Sequence, residues 1–121
     1  MSKQSISALV VEYSKDDDLR IESRVKELVE KVYTANSYKK AMEIYNDFHP
    51  DLIITDVKLQ DAEGFDLIEK IKSKNKFARI IISSSDIQHE YFLQAIEYGV
   101  KGFLTKPVNK KKLKKLIQLI S

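Results

Sequence analysis

Residues 52–56 read Leu52-Ile53-Ile54-Thr55-Asp56, and the first glycine of the chain, Gly64, follows after a short polar stretch. An apolar run suited to a buried strand stops on a carboxylate. At the C-terminal end of a central parallel strand, such a group lies in the crevice where open α/β sheets hold their ligands. Two later runs end in the same way. Ile80-Ile81-Ile82 is followed by Ser84, and Phe103-Leu104-Thr105 by Lys106. A carboxylate, a hydroxyl and an ammonium gathered at one sheet edge suit the handling of a phosphoryl group.

Outward from this stretch, short apolar runs recur at residues 8–11, 31–35, 52–55, 79–83 and 102–104. Their length and their β-branched residues predict strands buried on both faces. The segments between them have helical spacing. Ile21, Val25, Leu28 and Val29 share one predicted face, and Tyr38, Ala41, Met42 and Tyr45 another. Phe65, Ile68 and Ile71 mark the third helix; Tyr91, Ala95 and Ile96, with Phe92 beside them, mark the fourth. Leu113, Leu116, Ile117 and Ile120 form the stripe of the fifth. Strict strand–helix alternation implies parallel strands joined by right-handed crossovers. The expected fold is α/β: a doubly wound, flavodoxin-like three-layer sandwich, with five helices around a five-stranded parallel sheet of order 2-1-3-4-5.

The 121 residues suit one domain, 1–121, with 43% apolar and 32% charged residues as in ordinary globular proteins. Cysteine is absent, which removes disulfides and thiolate metal sites and agrees with a cytoplasmic setting. No stretch approaches the ~20 apolar residues that span a bilayer, and residues 1–5 lack a signal-peptide core. The net charge of +3 is mild, and much of it comes from Asn-Lys-Lys-Lys-Leu-Lys-Lys at 109–115. Such a run reads first as the solvated face of a helix, and second as a contact for an acidic partner or nucleic acid. The last helix runs into Ser121 without a stop signal, as in a fragment of a longer chain or a frayed terminus.

Common ligands of this fold class find no support. The only glycines are Gly64, Gly99 and Gly102, so neither a dinucleotide fingerprint nor a P-loop can be written. The acidic edge at Asp56 would repel a flavin phosphate. His49, in a turn before Pro50, and His89, at the start of the fourth helix, read as surface residues.

Over essentially its whole length the chain resembles a response-regulator receiver domain. The matching positions are Glu12, Asp56, Gly64, Ser84, Ala95, Gly99, Phe103 and the pair Lys106-Pro107. The resemblance implies that Asp56 takes a phosphoryl group from a histidine kinase or phosphotransfer protein. It implies that Glu12, Asp56 and the Lys58 backbone carbonyl hold Mg²⁺. Ser84 would hydrogen-bond a phosphoryl oxygen, Lys106 would pair with its charge, and Phe103 would turn inward as Ser84 moves. The Lys106-Pro107 bond is expected to be cis. The implied function is a signalling switch rather than an enzyme, with a protein partner or dimer mate on the face of helix four, strand five and helix five. Elementary chemistry agrees: a carboxylate attacks a phosphoryl dianion only when a divalent cation and an ammonium relieve the repulsion.

The chain also departs from the family. Tyr13 stands where a second acid usually follows the first, and a neutral phenol is a weak ligand for a hard cation, so Mg²⁺ binding should be weakened. The triplet Asp16-Asp17-Asp18 reads as a helix cap ahead of a substitute metal site. Lys58 and Asp86 carry opposite charges beside the expected site and could pair across its entrance. Gln60 replaces the usual proline, which predicts a looser loop, while the small Ser85 leaves access open. Tyr13 is the reason to hold a second reading, a pseudo-receiver that binds proteins without phosphate. Direct nucleic-acid binding through the helix-five lysines is the weakest reading.

Overall fold

The chain lays down β1 (Gln4–Val11), α1 (Glu22–Lys26), β2 (Val29–Ala35), α2 (Tyr38–Phe48), β3 (Leu52–Asp56), α3 (Gly64–Lys74), β4 (Arg79–Ser84), α4 (His89–Glu97), β5 (Gly102–Thr105) and α5 (Lys110–Ile120). The computed structural model describes residues 3–13, 20–86 and 88–120. All strand pairs are parallel and the sheet order is β2-β1-β3-β4-β5, as the alternation predicts.

Because successive strand residues point to opposite faces, each strand feeds two cores. Leu9, Val11, Ile53, Ile80 and Ile82 pack against α2, α3 and α4 through Ala41, Tyr45, Phe65, Ile68 and Ala95. Ala8, Val10, Ile54, Ile81 and Leu104 meet α1 and α5 through Ile21, Val25, Leu113 and Ile117. Both faces of β3 are therefore covered, which explains why its burial is continuous rather than alternating.

Local chemistry sets the ends of the elements. The Ser37 hydroxyl accepts from Lys40 N–H at 3.1 Å at the start of α2. His49 closes that helix at φ 48°, in the left-handed region, and Pro50 follows it. Both His49 and His89 are exposed, as read from the sequence.

The structure corrects two helical faces. Leu28 and Val29 do not continue the first helix: α1 ends at Lys26, and Val29 opens β2 opposite Gln4. Val29 still reaches the same core, so the apolar spacing was real, but a strand carries it. On α4, Ile96 is 77% exposed while Ala95 is buried, since this nine-residue helix turns Tyr91, Phe92 and Ala95 toward the sheet.

Candidate functional site

Asp56 closes β3 at the C-terminal rim, and Ser83 of β4 is its partner in the ladder. The Asp56 carboxylate is nearly buried, and three donors surround it. Lys106 Nζ lies 2.7 Å from Oδ1, the Ser83 hydroxyl donates to Oδ1 at 3.1 Å, and Tyr13 N–H donates to Oδ2 at 3.1 Å. Lys106 is held from its other side by Glu12 Oε1 at 2.9 Å, and both side chains are only 2% exposed. Glu12 Oε1 also accepts from Ile21 N–H at 2.7 Å, which fixes the carboxylate over the end of β1. One buried ammonium thus separates two buried carboxylates, an arrangement whose desolvation is offset only when the charges meet closely.

The neighbouring backbone is built around this end of β3. A Cβ on Gly64 would overlap the Asp56 carbonyl oxygen, so the start of α3 can approach β3 only as glycine. Lys58 and Glu63 face each other as an isolated antiparallel bridge. Its hydrogen bonds are made by the flanking groups, Leu59 N–H to Ala62 O and Gly64 N–H to Val57 O. The Lys58 carbonyl is therefore not spent in the bridge.

Ser84 is at the same rim, but its hydroxyl is turned into its own loop. It donates to Asp86 O at 2.9 Å and accepts from Asp86 N–H at 3.0 Å. Phe103, opposite Ile82 on β5, is half-buried against Phe92 of α4. The Lys106-Pro107 peptide is cis, as expected. A cleft of about 200 Å³ opens among Tyr13, Asp56, Lys58, Ser84, Asp86 and Lys106.

One expectation fails. No ion pair joins Lys58 to Asp86; the Asp86 carboxylate accepts instead from Gln88 Nε2 at 2.9 Å, two residues along the chain. In the loop after β3, Asp61 next to Gln60 ties the chain to α2. Asp61 Oδ1 accepts from Tyr38 N–H at 2.7 Å and Oδ2 from Lys39 N–H at 3.2 Å. The Tyr38 bond, foremost, holds the Asp61 carboxyl below its ordinary pKa. The acidic triplet at 16–18 lies outside the described residues.

Sequence reading missed three contributors: Ser83, the Tyr13 backbone and Arg20. Arg20 Nε stands 3.7 Å from Glu12 Oε2, and neither buried atom has a hydrogen-bond partner among the described residues. Tyr13 turns a half-exposed phenol outward and contributes its N–H instead. A serine at the end of an apolar run gives no sign of which strand residue it will face; register does that.

The family model described as response regulator receiver domain matches residues 10–118. The chain belongs to that family. Among its relatives, the chemotaxis protein CheY of Bacillus subtilis is 34% identical over 83 residues, covering 69% of each chain. The sensory transduction protein LytT of Enterococcus faecalis is 32% identical over 93 residues, covering 77% of this chain and 38% of that protein. The receiver chain spans about a third of the length of relatives of that second kind. In fold it matches the chemotaxis response regulator CheY4 of Vibrio cholerae with a TM-score of 0.82 at 23% identity, over 98% of this chain and 100% of that one. Receivers of this family are signalling domains of two-component systems, and no helix among the described residues is long and apolar enough to cross a membrane.

The donor set fits the divalent cation that the family implies. Glu12 Oε2 is a buried carboxylate oxygen without a hydrogen bond, Asp56 supplies a second carboxylate, and the Lys58 carbonyl stands outside its bridge. Mg²⁺ keeps several waters and is commonly held by one or two carboxylates. The Arg20 guanidinium beside Glu12 and the neutral Tyr13 both lower the site's demand for a cation.

Proposed function

We propose that the domain is a phosphorylation-dependent switch in which Asp56 accepts a phosphoryl group from a histidine kinase or phosphotransfer protein in the cytoplasm. The observation that carries this reading is the buried Lys106 ammonium 2.7 Å from Asp56 Oδ1, at the open C-terminal rim of the sheet. An Asp56 oxygen attacks phosphorus, and the bond to the donor's imidazole nitrogen breaks with its electron pair returning to the ring. Mg²⁺ held by Glu12, Asp56 and the Lys58 carbonyl would neutralise the phosphoryl oxygens and orient them for attack. Lys106 lies close enough to Asp56 to transfer its attraction to the incoming charge.

The acyl phosphate brings about −1.5 to −2 charges to a place where the carboxylate held one. Ser84 can answer that charge only by releasing Asp86, because its hydroxyl is closed on that residue's backbone. Its departure changes the packing beside β5, where Phe103 sits, and so biases the α4–β5–α5 face. Those elements carry exposed Leu93 and Ile96 on α4 and a run of lysines on α5, features suited to a protein partner or dimer mate.

A pseudo-receiver is the second reading, and one observation favours it. Arg20 and Lys106 supply two cations against Glu12 and Asp56, so the site is nearly neutral without a metal. Incubation with Mg²⁺ and a small acyl phosphate, followed by intact mass, separates the two. Addition of one phosphate to the wild type and none to Asp56→Asn supports the switch. An unmodified wild type at high Mg²⁺ supports the pseudo-receiver.

A further inference from the structure

The acceptor carboxylate has a side-chain donor that the switch does not use. Ser83 is fully buried, stands opposite Asp56 in the β3–β4 ladder, and donates its hydroxyl to Asp56 Oδ1 at 3.1 Å. Asp56 is its one side-chain hydrogen-bond partner among the described residues. Lys106 reaches the same oxygen, while the other receives only Tyr13 N–H.

We propose that Ser83 is a positioning residue that sets the lifetime of the aspartyl phosphate, shortening it by stabilising the carboxylate that hydrolysis releases. This rests on the reading of Asp56 as phosphoacceptor. In the acyl phosphate, one carboxyl oxygen is a carbonyl and the other bridges to phosphorus, and neither bears the charge of the free carboxylate. A hydrogen bond to a charged acceptor is roughly twice as strong as one to a neutral acceptor. The Ser83 bond is therefore weaker in the phosphorylated state, whichever oxygen carries the phosphoryl group.

In hydrolysis, water attacks phosphorus and the bond from phosphorus to Asp56 breaks. The electron pair returns to the carboxylate, and the water's proton leaves to solvent as orthophosphate forms. Negative charge grows on the oxygen pair that Ser83 touches, so its bond strengthens along the reaction. An interaction that strengthens toward the transition state accelerates the step. The same difference disfavours the phosphorylated form at equilibrium. The hydroxyl is already aligned by the strand register, so no rearrangement has to precede its effect.

The test loads the full chain with a small acyl phosphate and Mg²⁺, removes the donor, and follows loss of phosphate by intact mass. Ser83→Ala should lengthen the half-life by roughly fivefold. Ser83→Thr, which keeps a hydroxyl on a strand-compatible side chain, should return it to within about twofold of wild type. A purely structural serine would move the unfolding temperature without moving the half-life. In the unphosphorylated protein, the Asp56 ¹³Cγ resonance should shift in Ser83→Ala. Equal half-lives, or an unshifted ¹³Cγ, overturn the role of Ser83 while leaving Asp56 as acceptor. Failure of the wild type to take phosphate overturns both.

Discussion

Phe92 of α4 and Phe103 of β5 stand ring against ring, with centroids 4.3 Å apart and planes inclined by 32°. The ring expected to report on phosphorylation is thus held by a second ring on the neighbouring helix. Aromatic pairs of this kind contribute about 0.5–1.5 kcal/mol beyond their buried area. A double-mutant cycle of Phe92→Ala and Phe103→Ala, read by urea unfolding, should return a coupling of that size. Strictly additive losses would mean the rings merely adjoin.

Lys106 joins two carboxylates that would otherwise face each other across a buried gap. Lys106→Met keeps most of the volume and removes the charge, leaving Asp56 without a cation and Glu12 with only the Arg20 guanidinium at 3.7 Å. Breaking a buried pair in this way costs about 3–5 kcal/mol. Urea denaturation at neutral pH should show a loss of that order, and phosphate uptake should fall with it. A variant as stable as wild type would show that solvent reaches these charges more freely than the 2% exposure of Glu12 and 11% of Asp56 allow.

Gly64 and Gly102 make a matched pair for substitution by alanine. At Gly64 the new methyl meets the Asp56 backbone carbonyl, which cannot yield without moving the acceptor. At Gly102 it comes within 2.8 Å of the Leu116 Cδ1, the flexible end of a side chain. Gly64→Ala should therefore cost about 2–4 kcal/mol and depress phosphate uptake, whereas Gly102→Ala should cost under about 1.5 kcal/mol. Thermal unfolding of the two variants decides this, and a reversed ranking would refute it.

Asp61 gives a pH dependence of known sign. Hydrogen bonds from the α2 backbone, Tyr38 N–H first, lower its pKa in the folded chain below the ordinary 3.8. A lowered carboxyl adds stability above its unfolded pKa and loses it as pH falls through the folded value. The Tm difference between wild type and Asp61→Asn should be constant from neutral pH to about pH 4 and shrink below that. A difference that widens in acid would contradict the contact.

The fold was legible because its signal is redundant. Each strand is an apolar run too short for a helix, each intervening segment has an apolar stripe, and the alternation admits few topologies. Leu28 and Val29 misled because an i, i+3, i+4, i+7 spacing can run across a helix end into a strand that packs on the same core. In the site, Asp56, Ser84 and Lys106 were visible as polar residues at the ends of runs, and Glu12 through the family resemblance. Their meeting is what the parallel sheet produces. Ser83 was hidden, since only the ladder register reveals that it opposes Asp56. Asp61 was hidden for a related reason: its partners are backbone groups of α2, distant in sequence. The expected pairing of Lys58 with Asp86 failed because a nearby amide, Gln88, competes for that carboxylate over a much shorter loop.

Glu12 Oε1 serves two masters, the Lys106 ammonium and the Ile21 amide just ahead of α1. Whatever draws Lys106 away leaves that oxygen to the amide alone, and tightens the anchor of the first helix. A phosphoryl charge at the C-terminal ends of β3 and β5 would thereby bear on the helix that Ile21 leads into. Under the proposed switch, that route to α1 would bypass Phe103.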